Sequence, residues 1–202
     1  MLPLKKHINT FHFSLFTFHF SLFTFKMAFF KEELTKIKGF VFDVDGVLSH
    51  NVLSLSADGD PIRTANMKDG YAIMYAIRLG YPIGIITGGK TQDTKGRLER
   101  LGIKQVYMGT LNKVPCLMDF LEQNKLNADE ILYMGDDIPD FNVMKMVGLP
   151  VCPNDAAEEI REISAYISHK NGGEGCVRDV IEQVLRAQEK WSHPEVINWS
   201  SF

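Results

Sequence analysis

Five carboxylates, one lysine and one threonine stand out in this sequence for what they could do together. FDVDGV (42–47) carries Asp43 and Asp45, and GDDIPD (135–140) carries Asp136, Asp137 and Asp140. Thr87 sits in ITGGK (86–90), and Lys113 lies between these last two segments. Carboxylates crowded at one edge repel one another unless a cation joins them. Oxygen-only ligands in small number suit Mg2+, which keeps several waters and takes one or two carboxylates plus a substrate phosphate. Lys113 and the Thr87 hydroxyl would help offset charge on a phosphoryl group. Asp43 could then attack phosphorus as a carboxylate nucleophile. Asp45 would protonate the departing alkoxide and later take a proton from the hydrolytic water.

Each part alone has a plainer reading. A DxD can be a turn or a helix cap, GDDxxD an exposed acidic loop, Thr87 a strand-end hydrogen-bonder and Lys113 a solvated charge. It is their order, at the ends of successive strands, that favours chemistry. Asp137 and Asp140 keep two readings: support for Lys113 or the metal waters, or caps of the helix that follows. His50 and His169 read as structural or exposed.

The elements that must position these residues alternate from Ile37 onward. IKGFVFD (37–43), PIGIIT (82–87) and ILYMG (131–135) are apolar runs expected of strands buried on both faces, with KQVYMG (104–109), LPVCP (149–153) and AYIS (165–168) as further strands. Residues 47–65 read as a β-hairpin around the turn ADGD (57–60), with Val47, Leu48, Val52, Leu53, Leu55 and Ile62 on an apolar face too large for a free ribbon. Helices are expected from an Asp69 cap to Leu79, over 91–101, from an Asn112 cap to about Asn124, near 139–147, over 155–163 and over 176–190. Such βα alternation specifies a mainly parallel sheet with helices on both faces, in one domain from residue 30 to 190. In extended chain, residues two apart point the same way, so Asp43 and Asp45 can face one site.

Hydrophobic content of 45% and charged content of 23% are those of a globular chain long enough, at 202 residues, for a core without staples. A net charge of −3 argues against nucleic acid or an anionic membrane as partner. Cys116, Cys152 and Cys176 show no metal-ligand spacing, which fits a reduced, cytoplasmic setting. The first 26 residues differ from the rest. FHFSLFT occurs twice in succession at 11–24, and this segment holds seven of the fourteen phenylalanines. It is too interrupted by Ser, Thr and His to span a bilayer and has no small-residue cleavage site. We expect residues 1–26 to be a non-native or disordered extension, with translation from Met27 and a single domain over 27–202.

The motifs together resemble the haloacid dehalogenase superfamily of phosphohydrolases across nearly all of residues 37–190: FDVDGV as its first motif, Thr87 its second, Lys113 its third and GDDIPD its fourth. The resemblance implies a three-layer α/β/α sandwich with a Rossmann-like sheet. It also implies Mg2+ held by Asp43, the backbone carbonyl of Asp45 and Asp136, and phosphoryl contacts from Thr87, Gly88 and Lys113. Asp43 and Thr87 are 44 positions apart and Thr87 and Lys113 only 26, so neither interval holds a cap domain.

A narrower resemblance rests on NMKDGYAI (66–73), ITGGKTQDTKGRLERLGI (86–103) and NGGEGCVRDVIEQVL (171–185), which are similar to the 3-deoxy-D-manno-octulosonate 8-phosphate phosphatases of lipopolysaccharide sugar synthesis. That family implies a homotetramer whose hairpins associate so that adjacent subunits complete each site, and substrate contacts from Asn66, Lys68, Asp69 and Arg97. Many members carry arginine where this chain has Gly89 and Met74. A related group acting on 2-keto-3-deoxynononate 9-phosphate often has glutamate at the position of Gly89, and a tetramerisation module attached to nucleotide-sugar synthetases shares the fold without needing activity.

Overall fold

The computed structural model describes residues 30–191, so the repeated FHFSLFT and the expected start at Met27 lie outside the described residues. In chain order the elements are α1 (30–36), β1 (Gly39–Phe42), β2 (Ser54–Leu55), β3 (Pro61–Ile62), α2 (Met67–Arg78), β4 (Ile83–Thr87), α3 (Gln92–Arg100) and β5 (Gln105–Met108). They continue with α4 (Val114–Asn124), β6 (Ile131–Met134), α5 (Phe141–Met144), β7 (Leu149–Cys152), α6 (Glu158–Ile163), β8 (Tyr166–Ile167) and α7 (Cys176–Ala187).

Six strands form one parallel sheet in the order β5-β4-β1-β6-β7-β8. The chain winds from β1 through β4 to β5, returns to β6 beside β1, and winds the other way. Ligands bind beyond the carboxyl ends of the strands where such winding reverses, here the ends of β1, β4 and β6. The continuous apolar runs follow from burial on both faces. Phe40 and Phe42 join Ile83, Ile85, Leu132 and Met134 under α1, α2, α3 and α7. Val41, Ile86 and Tyr133 point the other way, under α4, α5 and α6. Strand period two thus sorts one apolar run into two cores and three layers.

Two cap assignments change. Asn66, rather than Asp69, caps α2, its Oδ1 accepting the N–H groups of Lys68 at 2.9 Å and Asp69 at 3.4 Å. Asp69 sits in the first turn, buried, and accepts the Arg178 N–H at 2.7 Å. Lys113, rather than Asn112, is the N-cap of α4, and its side chain makes no capping bond, which leaves it free to reach elsewhere. Helices expected at 139–147, 155–163 and 176–190 are shorter, the first splitting into a 3-10 turn at Ile138–Asp140 and α5.

The hairpin is smaller than its sequence promised. Only Ser54–Leu55 and Pro61–Ile62 pair. After β1 the chain makes a wide turn over Val44–Leu48, closed by the Ser49 N–H donating to the Val44 carbonyl at 2.8 Å. That turn sends Val47 fully into the core and packs Leu48 against it, so neither belongs to the hairpin's exposed apolar face. No helix among the described residues is long and apolar enough to cross a membrane.

Candidate active site

Asp43 is the first residue past β1. The Val44 N–H donates to its Oδ1 at 2.6 Å and the Lys113 ammonium to its Oδ2 at 2.7 Å. Lys113, though an N-terminal residue of a helix, is buried, because its second partner is the fully buried Asp140, Oδ1 at 2.7 Å. Asp140 in turn accepts the Tyr133 hydroxyl on Oδ1 at 2.6 Å and the Asp136 N–H on Oδ2 at 3.2 Å. Of its two readings, the structure selects anchorage of Lys113, and it makes no capping bond to α5. Asp137 lines a cavity with Asp43, Lys113 and Asp140 and makes no capping bond to its 3-10 turn.

These charges shift one another. Burial, then the charge of Asp140, pushes the Asp43 carboxyl up, against the pull of Lys113. Burial, then Asp43, Asp140 and Asp137, pushes Asp136 up to about 8. Burial lowers the Lys113 ammonium, but Asp43 and Asp140 outweigh it and the net shift is upward. The site therefore carries more negative charge than its single ammonium offsets, and a divalent cation would relieve the excess.

The residues fit that cation. Asp43, Asp136 and Asp140 bring one oxygen each within 4.8 Å of one another. Asp140 is spent on Lys113, Tyr133 and a backbone N–H, which leaves Asp43 and Asp136 as the ligand-bearing pair. The Asp136 carboxylate lies against the backbone just after Asp45: a Cβ built on Gly46 would fall 1.9 Å from its Oδ2. Gly46, at φ +74°, thus lets the turn cross in front of Asp136 where a side chain would collide with its carboxylate. The Gly-rich NGGEG segment braces this turn from behind. The Gly173 N–H donates to the Val47 carbonyl at 2.8 Å, and a Cβ on Gly172 would strike the Gly46 carbonyl oxygen at 1.9 Å.

Asp45, Gly88 and Lys113 line a cavity of about 280 Å3 together with Asp43, Asp136 and Asp137. The Asp45 side chain is not turned to the acidic cluster. Arg63 grips it, Nε to Oδ1 and Nη2 to Oδ2, both at 2.7 Å. Thr87 is buried at the end of β4, and its Oγ1 accepts the Gly89 N–H at 3.1 Å, which leaves the hydroxyl hydrogen to donate. Asn66, Lys68, Asp69 and Arg97 do not reach this cavity. Asn66, Asp69 and Arg97 line a neighbouring one of about 440 Å3 beneath the hairpin, while Lys68 faces a third. Asn66 is occupied as a cap and as donor to the Gly173 carbonyl at 3.1 Å.

Arg63 and Tyr133 escaped the sequence reading. Tyr133 carries no signal beyond a strand tyrosine. Arg63 does carry one: it is the only Lys or Arg between Asp45 and Lys68.

Residues 105–181 match the family model of the haloacid dehalogenase-like hydrolases. A 3-deoxy-D-manno-octulosonate 8-phosphate phosphatase of Salmonella typhi is 36% identical over 76% of this chain and 82% of its own. The crystal structure of the phosphatase of that name from Yersinia pestis superposes with a TM-score of 0.77 at 31% identity, covering 79% of this chain and 86% of its own. The corresponding Moraxella catarrhalis structure, in complex with magnesium ion, phosphate ion and a KDO molecule, gives a TM-score of 0.76 at 29% identity over 80% and 92% of the two chains. With three of the motifs at the ends of β1, β4 and β6, Lys113 reaching them from the start of α4, and relatives of this closeness, the chain belongs to the haloacid dehalogenase-like phosphatases.

Proposed function

We propose that this chain hydrolyses 3-deoxy-D-manno-octulosonate 8-phosphate to 3-deoxy-D-manno-octulosonate and phosphate, with Mg2+ as cofactor. The observation that carries the reading is Asp43 fixed by Lys113 and the Val44 N–H, facing Asp136, in a chain 36% identical to phosphatases of that specificity. Asp43 attacks phosphorus, and as its bond to phosphorus forms, the bond to the sugar oxygen breaks and Asp45 gives that oxygen a proton. Asp45, now a carboxylate, takes a proton from water; the water oxygen bonds to phosphorus, the bond from phosphorus to the Asp43 oxygen breaks, and phosphate leaves with the Asp43 carboxylate restored. Lys113, the Thr87 hydroxyl and the Gly88 backbone hold the phosphoryl oxygens. Asp43, Asp136 and the Asp45 carbonyl would hold Mg2+, which would supply charge neutralisation at the phosphoryl group. Asp140 and Tyr133 keep Lys113 in place.

Residues 27–202 form, on this reading, one cytoplasmic phosphatase domain that works as a homotetramer. The hairpin supports the assembly: Val52, Leu55 and Ile62 are 84%, 64% and 54% exposed, more apolar surface than a ribbon with two paired residues per strand should leave in water. Packing of hairpins across a closed symmetric assembly would bury it. Arg97, whose planar fork suits a carboxylate, would then serve the sugar-acid end of a substrate bound between subunits.

The test is phosphate release from the eight-carbon ester, with the nine-carbon 2-keto-3-deoxynononate 9-phosphate as competitor substrate, each with Mg2+ and with chelator. Magnesium-dependent turnover with a higher kcat/KM for the eight-carbon ester is the expected result. Preference for the nine-carbon ester would overturn the substrate, and absence of any turnover would overturn the enzyme.

A further inference from the structure

Arg63 lies one residue past β3, at the base of the hairpin, and its guanidinium uses every edge it has. Nε and Nη2 meet the two oxygens of Asp45, each at 2.7 Å, and Nη1 donates to the Thr91 hydroxyl at 2.9 Å, at the N-cap of α3. The Arg63 side chain is 10% exposed, whereas that of Asp45 is 39% exposed. An aspartate so open to water would otherwise move among rotamers. The backbone that carries Arg63 is itself tied down. The Thr64 N–H donates to the Ser49 hydroxyl at 3.0 Å, and the His50 N–H donates to the Thr64 hydroxyl at 3.1 Å. The arginine's stem therefore starts from a backbone bound to the same turn that presents Asp45.

Its seat exists because of a glycine. A Cβ on Gly89 would fall 2.7 Å from Nη2 and 3.0 Å from Cζ of Arg63. Any side chain at 89 must move the guanidinium, and a displaced fork cannot meet both oxygens of Asp45 at once.

We infer that Arg63 is the positioning residue of Asp45, fixing the acid-base carboxylate at the edge of the active-site cavity from the base of the hairpin, and that Gly89 keeps its seat open. The inference rests on the phosphatase reading. It adds a link between the base of the hairpin and the chemistry through the Arg63 side chain. Bidentate hydrogen bonding fixes both the position and the plane of a carboxylate, which a point charge does not. A misplacement of about 1 Å at a reacting group costs on the order of 10²-fold in rate. Arg63 touches no phosphoryl ligand and no member of the Lys113–Asp140 pair, so its loss should act on turnover and leave binding alone.

The experiment compares the full-length protein with Arg63→Met, Arg63→Lys, Gly89→Ala and Asp45→Asn, and with the Arg63→Met/Asp45→Asn double variant, on the eight-carbon ester, in saturating Mg2+ for kcat and KM and across a Mg2+ titration. Arg63→Met should lower kcat by about 10- to 100-fold while KM and the Mg2+ concentration for half-maximal rate stay within about threefold. Arg63→Lys should recover part of the loss, and Gly89→Ala should show the same kcat pattern in weaker form. In the Asp45→Asn background, Arg63→Met should cost no more than about twofold, because the residue it positions is already gone. Wild-type kcat in Arg63→Met, or an equal loss with and without Asp45, would overturn the inference while leaving the phosphatase standing. A shift in the Mg2+ requirement would overturn it too, in favour of a support role for the metal-bearing turn. If the wild type itself releases no phosphate, the phosphatase reading fails and this inference falls with it.

Discussion

On one side of Arg63, the pocket at the strand ends ties Asp43 and Asp140 to one buried ammonium within the chain. Lys113 holds Asp43 and Asp140, and Asp140 is satisfied on both oxygens by Lys113, Tyr133 and the Asp136 N–H. On the other side, the hairpin pairs only two residues per strand and leaves Leu55 and Ile62 in water above a cavity of about 440 Å3. A parallel sheet buried on both faces positions the first region; a turn and a ribbon position the second. The difference separates two tasks. Breaking a phosphate ester needs groups fixed against a rigid sheet, and one chain provides them all. Enclosing a sugar acid needs a surface that this chain leaves uncovered.

The sharpest way to break that comparison is Asp43→Asn. It removes the proposed nucleophile, so activity should drop to background, a loss on the order of 10⁴-fold or more. Stability should not drop with it. Burial and the charge of Asp140 both work against the Asp43 carboxylate, so a neutral amide of the same shape relieves the metal-free protein. Thermal unfolding in chelator should show a Tm equal to or above that of the wild type. A folded Asp43→Asn variant that still turned over would remove Asp43 from the mechanism.

The second region is tested by Leu55→Glu with Ile62→Glu. Both side chains are exposed in the single chain, so charges there should leave the fold and the Lys113 network intact. Light scattering should show about four chains for the wild type and dissociation for the variant. Hydrolysis of the sugar-acid ester should fall about 10- to 100-fold, mainly through KM, whereas a small aryl phosphate that needs no enclosure should be cleaved nearly as before. If the sugar-acid ester were cleaved as fast by a dissociated variant, the hairpin would have no part in holding substrate.

The two regions were also unequally legible in the sequence. Asp43, Thr87 and Asp136 are legible because polar residues fall at the ends of apolar runs, and a parallel sheet brings strand ends together whatever the details; Lys113 is legible as the cation at the start of the helix between them. Asp140 was ambiguous, since spacing alone does not tell a helix cap from a buried anchor; only the 0% exposure and the partners decide it. Asp69 reads as the cap because it is a good cap residue three positions after Asn66, the residue that makes the bond; the bond to the Arg178 N–H, 109 positions away, draws Asp69 inward. Val47 and Leu48 were assigned to the ribbon because a turn with non-helical backbone at Asp45 and Gly46 hides the point where the core ends. Arg63 needed the ribbon's geometry. Nothing local says that an arginine 18 residues after Asp45 returns to it.

The smallest effect, and the one that measures how tightly the first region is built, belongs to Tyr133→Phe. Tyr133 is fully buried in β6, with its ring in the core under α4 and its hydroxyl on Asp140. Phenylalanine removes one oxygen, leaves no donor unpaired and needs no rearrangement of the ring. Asp140 keeps Lys113 and the Asp136 N–H, so it loses a single charge-assisted bond, worth about 1.5 to 3 kcal/mol. Tm should fall by several degrees, at roughly 2 to 4 °C per kcal/mol for a domain of this size. Turnover should fall less than about tenfold, because Lys113 retains both carboxylates and its place beside Asp43. A collapse of activity comparable to Asp43→Asn would mean that the hydroxyl takes part in the chemistry itself. An unchanged Tm would mean that Lys113 alone anchors Asp140, and that the pocket's order owes nothing to the layer behind it.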